Sequence, residues 1–143
     1  MSIQAAPLSE IAAQLRSGTR DLRDYVDSAL DRLKSIEPKM QAFLPESGRR
    51  DRLRWEVNAL KAHYPDPAAR PPLYGVLLGV KDVFRADGFE TRAGSTLSPL
   101  LFAGSEAPVV TRLKQLGALI LGKTVTAEFA YIEPGATRNP HNV

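Results

Sequence analysis

The apolar positions follow two different rhythms. Through residue 65 they recur every three or four places, the spacing of helices with one buried face. Ser9 is placed to cap a short helix carrying Ile11, Ala12 and Leu15. Thr19 is placed to cap a longer one with Leu22, Val26, Ala29, Leu30 and Leu33 on a single face, and Pro38 is expected to stop it. A third helix is expected after Ser47, with Leu53, Val57 and Leu60 inward. The proline-rich stretch "HYPDPAARPP" ends it and is the natural linker candidate.

After Pro72 the rhythm changes. "LYGVLLGVKDVF" is apolar and β-branched and predicts a buried strand over 76–84. A glycine-punctuated loop follows. "SEAPVVTRLKQLGA" predicts a helix capped by Ser105, with Val109, Val110, Leu113 and Leu116 on one face. "LIL" is a short strand within 118–121, "TVTAEFAY" one or two helical turns, and "IEPGATRNPHNV" a loop. Helices followed by strand, helix and strand predict an α/β chain with a parallel strand pair. Residues 1–65 form its helical segment, and 73–143 begin the α/β core of one domain. Two strands make a poor α/β core, since a parallel sheet needs cover on both faces, so the sheet is expected to be incomplete.

Composition narrows the picture. The chain has 143 residues, 43% hydrophobic and 24% charged, which fits one soluble domain. Its 19 basic and 16 acidic side chains leave only +3, too mild a balance to suggest a polyanionic partner. The densest basic run, "RRDRLR" from Arg49 to Arg54, reads as a solvated helix face; it lacks the aromatic interleaving of a nucleic-acid surface. Cysteine is absent, which removes disulfides and thiolate chemistry. His63 and His141 are far apart and carry no ligand spacing, so no metal site is expected. The start "MSIQAAPLSE" has no signal-peptide character and no apolar run approaches the ~20 residues of a membrane span. A cytoplasmic protein is expected.

"GALILGKT", Gly117 to Thr124, matches the G-x-x-x-x-G-K-T pattern of phosphate-binding loops. Such a loop follows a strand and opens a helix. Here Gly117 ends a predicted helix and the residues between the glycines predict a strand, which sends its N–H groups sideways into a ladder. No nucleotide is expected at this segment.

Lys81, in "GVLLGVKDVF", carries more information. An ammonium in an apolar strand is costly to bury. It can turn outward or pair with Asp82. It can also be desolvated, and a lysine so placed can act as a general base.

From Leu73 to Asn142 the chain resembles the N-terminal part of an amidase signature hydrolase, in "YGVLLGVKD", "GFETRAGS", "APVVTRLKQLGALILGKT", "EFAY" and "TRNPHN", taken in that order. Leu77 departs from the proline that many members carry there. The resemblance implies an amidase-signature mixed sheet and a Ser-Ser-Lys triad, with no cofactor. Lys81 would be the base, drawing a proton through a bridging serine while a second serine attacks an amide carbonyl. It also implies that both serines lie beyond "NPHN", so the chain is expected to be a fragment that carries the base, lacks the nucleophile and is inactive alone. Ser95, in "RAGST", is expected to shape its loop.

Tyr131, in "EFAY", falls where the resemblance puts residues near the acyl pocket; core packing is the other reading. Asp82 is expected in a salt bridge or a loop cap, and Glu128 in a local turn. Lys123 is expected to have little effect on the chemistry. The implied partner is a small-molecule amide, and exposed strand edges predict self-association of the isolated chain. The A subunit of a tRNA-dependent amidotransferase is the alternative within the family, disfavoured by Tyr131 where such subunits usually carry methionine. A non-catalytic piece that packs on a partner is the alternative outside it.

Overall fold

The computed structural model describes residues 6–141. The first residues of the stretch read for a signal peptide, 1–5, and the last two of the tail lie outside that range. Three helices open the chain: α1 (Leu8–Ser17), α2 (Leu22–Met40) and α3 (Arg49–His63). Strand β1 (Leu77–Lys81), helix α4 (Pro108–Gln115) and strand β2 (Leu119–Thr124) follow. Short 3₁₀ turns occupy Pro67–Ala69, Pro99–Phe102 and Glu128–Ala130. β1 and β2 pair in parallel, with Leu77 opposite Leu119 and Lys81 opposite Thr124, and with a register shift between Leu78 and Gly79.

Alternation along β2 divides the core. Leu119 joins Leu15, Val26, Leu53, Val57, Tyr74 and Val76 beneath the first three helices. Its neighbour Ile120 joins Val80, Ala86 and Val110 toward α4. The two-stranded sheet is thus covered by helices on both sides, as a parallel pair requires.

The predicted element order holds, and several boundaries move for physical reasons. α1 opens after Pro7, without a side-chain cap, and Ser9 lies inside it. α2 is capped by Asp21, whose carboxylate accepts from the N–H groups of Arg23 and Asp24. Thr19 spends its hydroxyl in the preceding turn, on Gln14 O and the Ser17 hydroxyl. Pro38 does not stop α2. The helix runs on to the buried Met40 and closes with Gln41 in the left-handed region at φ 48°. A proline in the last turn forfeits a single bond, and docking of the helix end outweighs it.

α4 starts at Pro108 after Ala107, with no side-chain cap, so Ser105 is not its cap; Val109 faces outward while Val110 is buried. The proline-rich stretch is pinned rather than free. Arg70 donates to the carbonyls of Leu15 and Arg16, each at 3.1 Å, and its guanidinium lies 4.6 Å over the ring of Tyr74.

Between α4 and β2, Gly117 has φ +92°, and a Cβ there would meet Pro71 Cγ at 2.6 Å. The phosphate-loop look-alike is therefore a helix end, a glycine in a tight left-handed corner, and a strand that already includes Gly122, Lys123 and Thr124.

The basic run is not a bare solvated face. Glu46 accepts from Arg49 at 2.9 Å and Arg52 at 2.6 Å, while Arg50 and Arg54 both pair with Asp27. Arg52 reaches further, donating to Ile120 O at 2.9 Å and lying 4.8 Å over the Phe89 ring. It fastens α3 to β2, and its charge is spent within the fold. Among the described residues, no helix is long and apolar enough to cross a membrane.

Candidate functional site

In open α/β sheets the carboxyl ends of parallel strands are where chemistry is usually housed. Here that edge brings together Lys81, the last residue of β1, and Thr124, the last of β2. Lys81 is exposed, and among the described residues no carboxylate pairs with it. Neither a buried Lys81 nor a pairing with Asp82 is found. Strand alternation puts Val80 inward and turns Lys81 to the open side.

The lysine that is buried is Lys123. Its ammonium lies 2.7 Å from Asp82 Oδ1, with only 3% of the Lys123 side chain and 2% of the Asp82 side chain exposed. The two groups form a buried ion pair. Lys123 Nζ also donates to Thr91 Oγ1 at 2.8 Å and to Glu90 O at 3.3 Å. Asp82 Oδ2 accepts from the Arg92 N–H at 3.2 Å. Asp82 therefore combines the two roles expected as alternatives, a salt bridge and a loop anchor, though its cation is Lys123.

The loop so anchored is conformationally strained. Ala93 and Gly94 have φ of 52° and 70°, and across from them Phe129 and Ala130 have φ of 51° and 58°. Left-handed backbone at non-glycine residues costs of order ~1–3 kcal/mol each and gathers at functional sites. The two corners are tied: Phe129 N–H donates to Ala93 O at 2.8 Å. A Cβ on Gly94 would meet Thr126 O at 2.8 Å, so only glycine fits that approach. Ser95 is buried and its hydroxyl accepts from the Leu97 N–H at 2.9 Å, the loop-shaping role expected of it. Glu128 opens the turn that Tyr131 closes, the Tyr131 N–H donating to Glu128 O at 2.9 Å. Tyr131 itself is 80% exposed, so it packs in no core here.

Sequence reasoning singled out Lys81 and Asp82 and did not anticipate the burial of Lys123. The available signal was a second lysine in an apolar strand, the same signal that singled out Lys81. It was hidden by the phosphate-loop pattern around it.

A family model described as Amidase matches residues 24–142. The chain belongs to the amidase family. Among curated members it is 37% identical to the A subunit of the glutamyl-tRNA(Gln) amidotransferase from Oleidesulfovibrio alaskensis, over 98% of this chain and 28% of that protein. It is 34% identical to AtzE, a subunit of the 1-carboxybiuret hydrolase of Pseudomonas sp., over 93% of this chain and 30% of that protein. The chain thus spans less than a third of the length of these curated relatives. Among solved amidase-family structures, a vestigial complex bearing on the origins of an s-triazine catabolic enzyme matches with a TM-score of 0.80 at 33% identity, over 96% of this chain and 31% of that one. The peptide amidase of Stenotrophomonas maltophilia matches with a TM-score of 0.72 at 25% identity, over 88% of this chain and 26% of that one. The helices and small parallel sheet described above are thus part of an amidase fold.

Proposed function

We propose that this chain supplies the proton-accepting side of an amide-hydrolysing site, with Lys81 as the base. The observation that carries the reading is position. Lys81 ends β1 at the carboxyl edge of the parallel pair, its side chain exposed and without an ion-pair partner among the described residues, while the residue after it is locked into the core.

In the full-length enzyme, a serine Oγ attacks the amide carbonyl carbon. Its proton passes through a second serine to the Lys81 amine. The C–N bond then breaks, the leaving nitrogen takes a proton back from the Lys81 ammonium, and water hydrolyses the acyl-serine ester. Family membership supports both serines, which this reading assigns to the part of the relatives' length that this chain does not span. In this scheme Tyr131, exposed on the turn tied to Ala93, lines the acyl side. On this reading the partner is a small-molecule amide, no cofactor is required, and the chain alone is inactive.

The 37% identity to an amidotransferase component favours a second reading, in which the full-length protein works as one of several subunits of an amidotransferase. Ammonia release from simple amides by the purified full-length protein alone supports the stand-alone reading. Turnover that appears only with added partner subunits supports the other.

The test of the base is substitution at Lys81 in the full-length protein. Loss of a general base typically costs ~10²–10⁴ in rate. Lys81→Ala is expected to slow acylation by at least ~10²-fold, and Lys81→Arg is not expected to rescue it, because a guanidinium stays protonated. Near wild-type acylation in Lys81→Arg would remove Lys81 from the mechanism.

A further inference from the structure

We propose that the buried Asp82–Lys123 pair is a positioning device for Lys81, and that Lys123 acts on the reaction without touching substrate. The inference rests on the reading of Lys81 as the base.

Asp82 is held at every polar group it owns. Its N–H donates to Thr124 O at 3.1 Å, and its carbonyl accepts from the Ala93 N–H at 3.0 Å. Oδ2 accepts from the Arg92 N–H, and Oδ1 faces the Lys123 ammonium. The Lys81 carbonyl, one atom away along the chain, accepts from the Phe84 N–H at 2.9 Å. The main chain of Lys81 is thus held at its own carbonyl and through the residue that follows it, while its side chain stays open.

Lys123 closes this lock. It extends from β2, the strand paired with β1, and its ammonium meets Asp82, Thr91 Oγ1 and Glu90 O at once. One buried cation therefore joins the end of β1, the end of β2 and the strained 90–93 loop. Stability alone is a weak reason for such a pair. Buried ion pairs are commonly matched or bettered by well-packed apolar side chains of similar volume, and in some proteins they are retained because they fix a specific geometry. A catalytic amine has to sit within about 0.5 Å of its productive place. A lock on the residue that follows it meets that demand.

The experiment separates fold from placement. In the full-length protein, Asp82→Leu and Lys123→Met are combined, so that neither charge is left buried alone. Acylation is followed on the primary amide that the wild-type enzyme turns over best from a panel of aliphatic and aryl amides, with thermal melting and circular dichroism alongside. The expected result is a native spectrum, a melting temperature near wild type, KM within about threefold and acylation slowed by at least about tenfold, as imprecise placement of a reacting group costs rate rather than binding. A folded double variant with acylation within twofold of wild type overturns the proposal.

If the double variant does not fold, Thr91→Val decides the matter. It removes one acceptor from Lys123 and leaves the ion pair. A severalfold loss of acylation at unchanged KM supports positioning, and an unchanged rate overturns it. Lys81→Ala, measured in parallel, keeps the two readings apart. If it retains acylation, the base assignment fails and takes the positioning inference with it. If it loses acylation while the double variant does not, only the positioning inference fails.

Discussion

Lys123, in β2, and Asp82, the residue that follows β1, face each other at 2.7 Å, and neither side chain reaches solvent to any useful extent. Removing one partner of such a pair strands the other charge in the core, which typically costs ~3–5 kcal/mol. Lys123→Met and Asp82→Leu are each expected to destabilise the protein by about that amount. The double variant should recover most of the loss, because no charge is left alone. Denaturant unfolding of all four species closes the cycle. Additive losses in the double variant would mean that the two groups are energetically independent. A loss of that size in Lys123→Met would make Lys123 a poor silent control for Lys81.

Acid should loosen the anchor between α3 and β2. Burial pushes Glu46 upward, yet the hydrogen bonds and charges of Arg52 and Arg49 outweigh it and hold the carboxyl below its ordinary value. Asp27 is held low as well, chiefly by its hydrogen bond from Arg54. A carboxyl whose folded pKa lies below its unfolded one contributes stability above the unfolded value, ~4 for these groups, and loses it as pH falls through the folded value. Melting temperature is therefore expected to be level from about pH 7 to 5 and to fall steadily below about pH 4. Glu46→Gln should lower the plateau and shallow the acid limb. A variant whose acid limb superimposes on wild type would remove Glu46 from the account.

The isolated chain is expected to self-associate. Leu97, Leu100 and Leu101 are exposed on one segment, and Phe129 and Ile132 on another. The rings of Phe102 and Phe129 lie 6.2 Å apart, so the two segments form one apolar region. β1 also pairs with β2 alone, leaving its outer edge without a partner strand among the described residues. Sedimentation velocity at about 10–100 µM should show species larger than monomer, and Leu100→Glu with Ile132→Glu should reduce them. A monodisperse wild-type monomer across that range would count against the idea.

The sequence by itself determined the order of elements and the chemistry to look for. Helical spacing placed Leu15, Val26, Leu53 and Val57 on buried faces, and all four are in the core. The order of helix, glycine and strand at 108–124 was legible because it depends on local backbone preference, and so was the mismatch with a phosphate loop. The family motifs were legible because they are contiguous words. Tertiary structure alone decided which lysine is buried. Lys81 and Lys123 sit in similar apolar runs, and nothing local distinguishes them. The difference comes from parallel register, which sets Lys81 opposite Thr124 at the open edge and brings Lys123 to Asp82 beneath the 90–93 loop. The same holds for "RRDRLR", which reads as a solvated face until Asp27, Glu46 and the carbonyls of β2 come within reach. Burial and charge pairing belong to contacts between residues far apart in the chain, and the spacing of neighbours does not encode them.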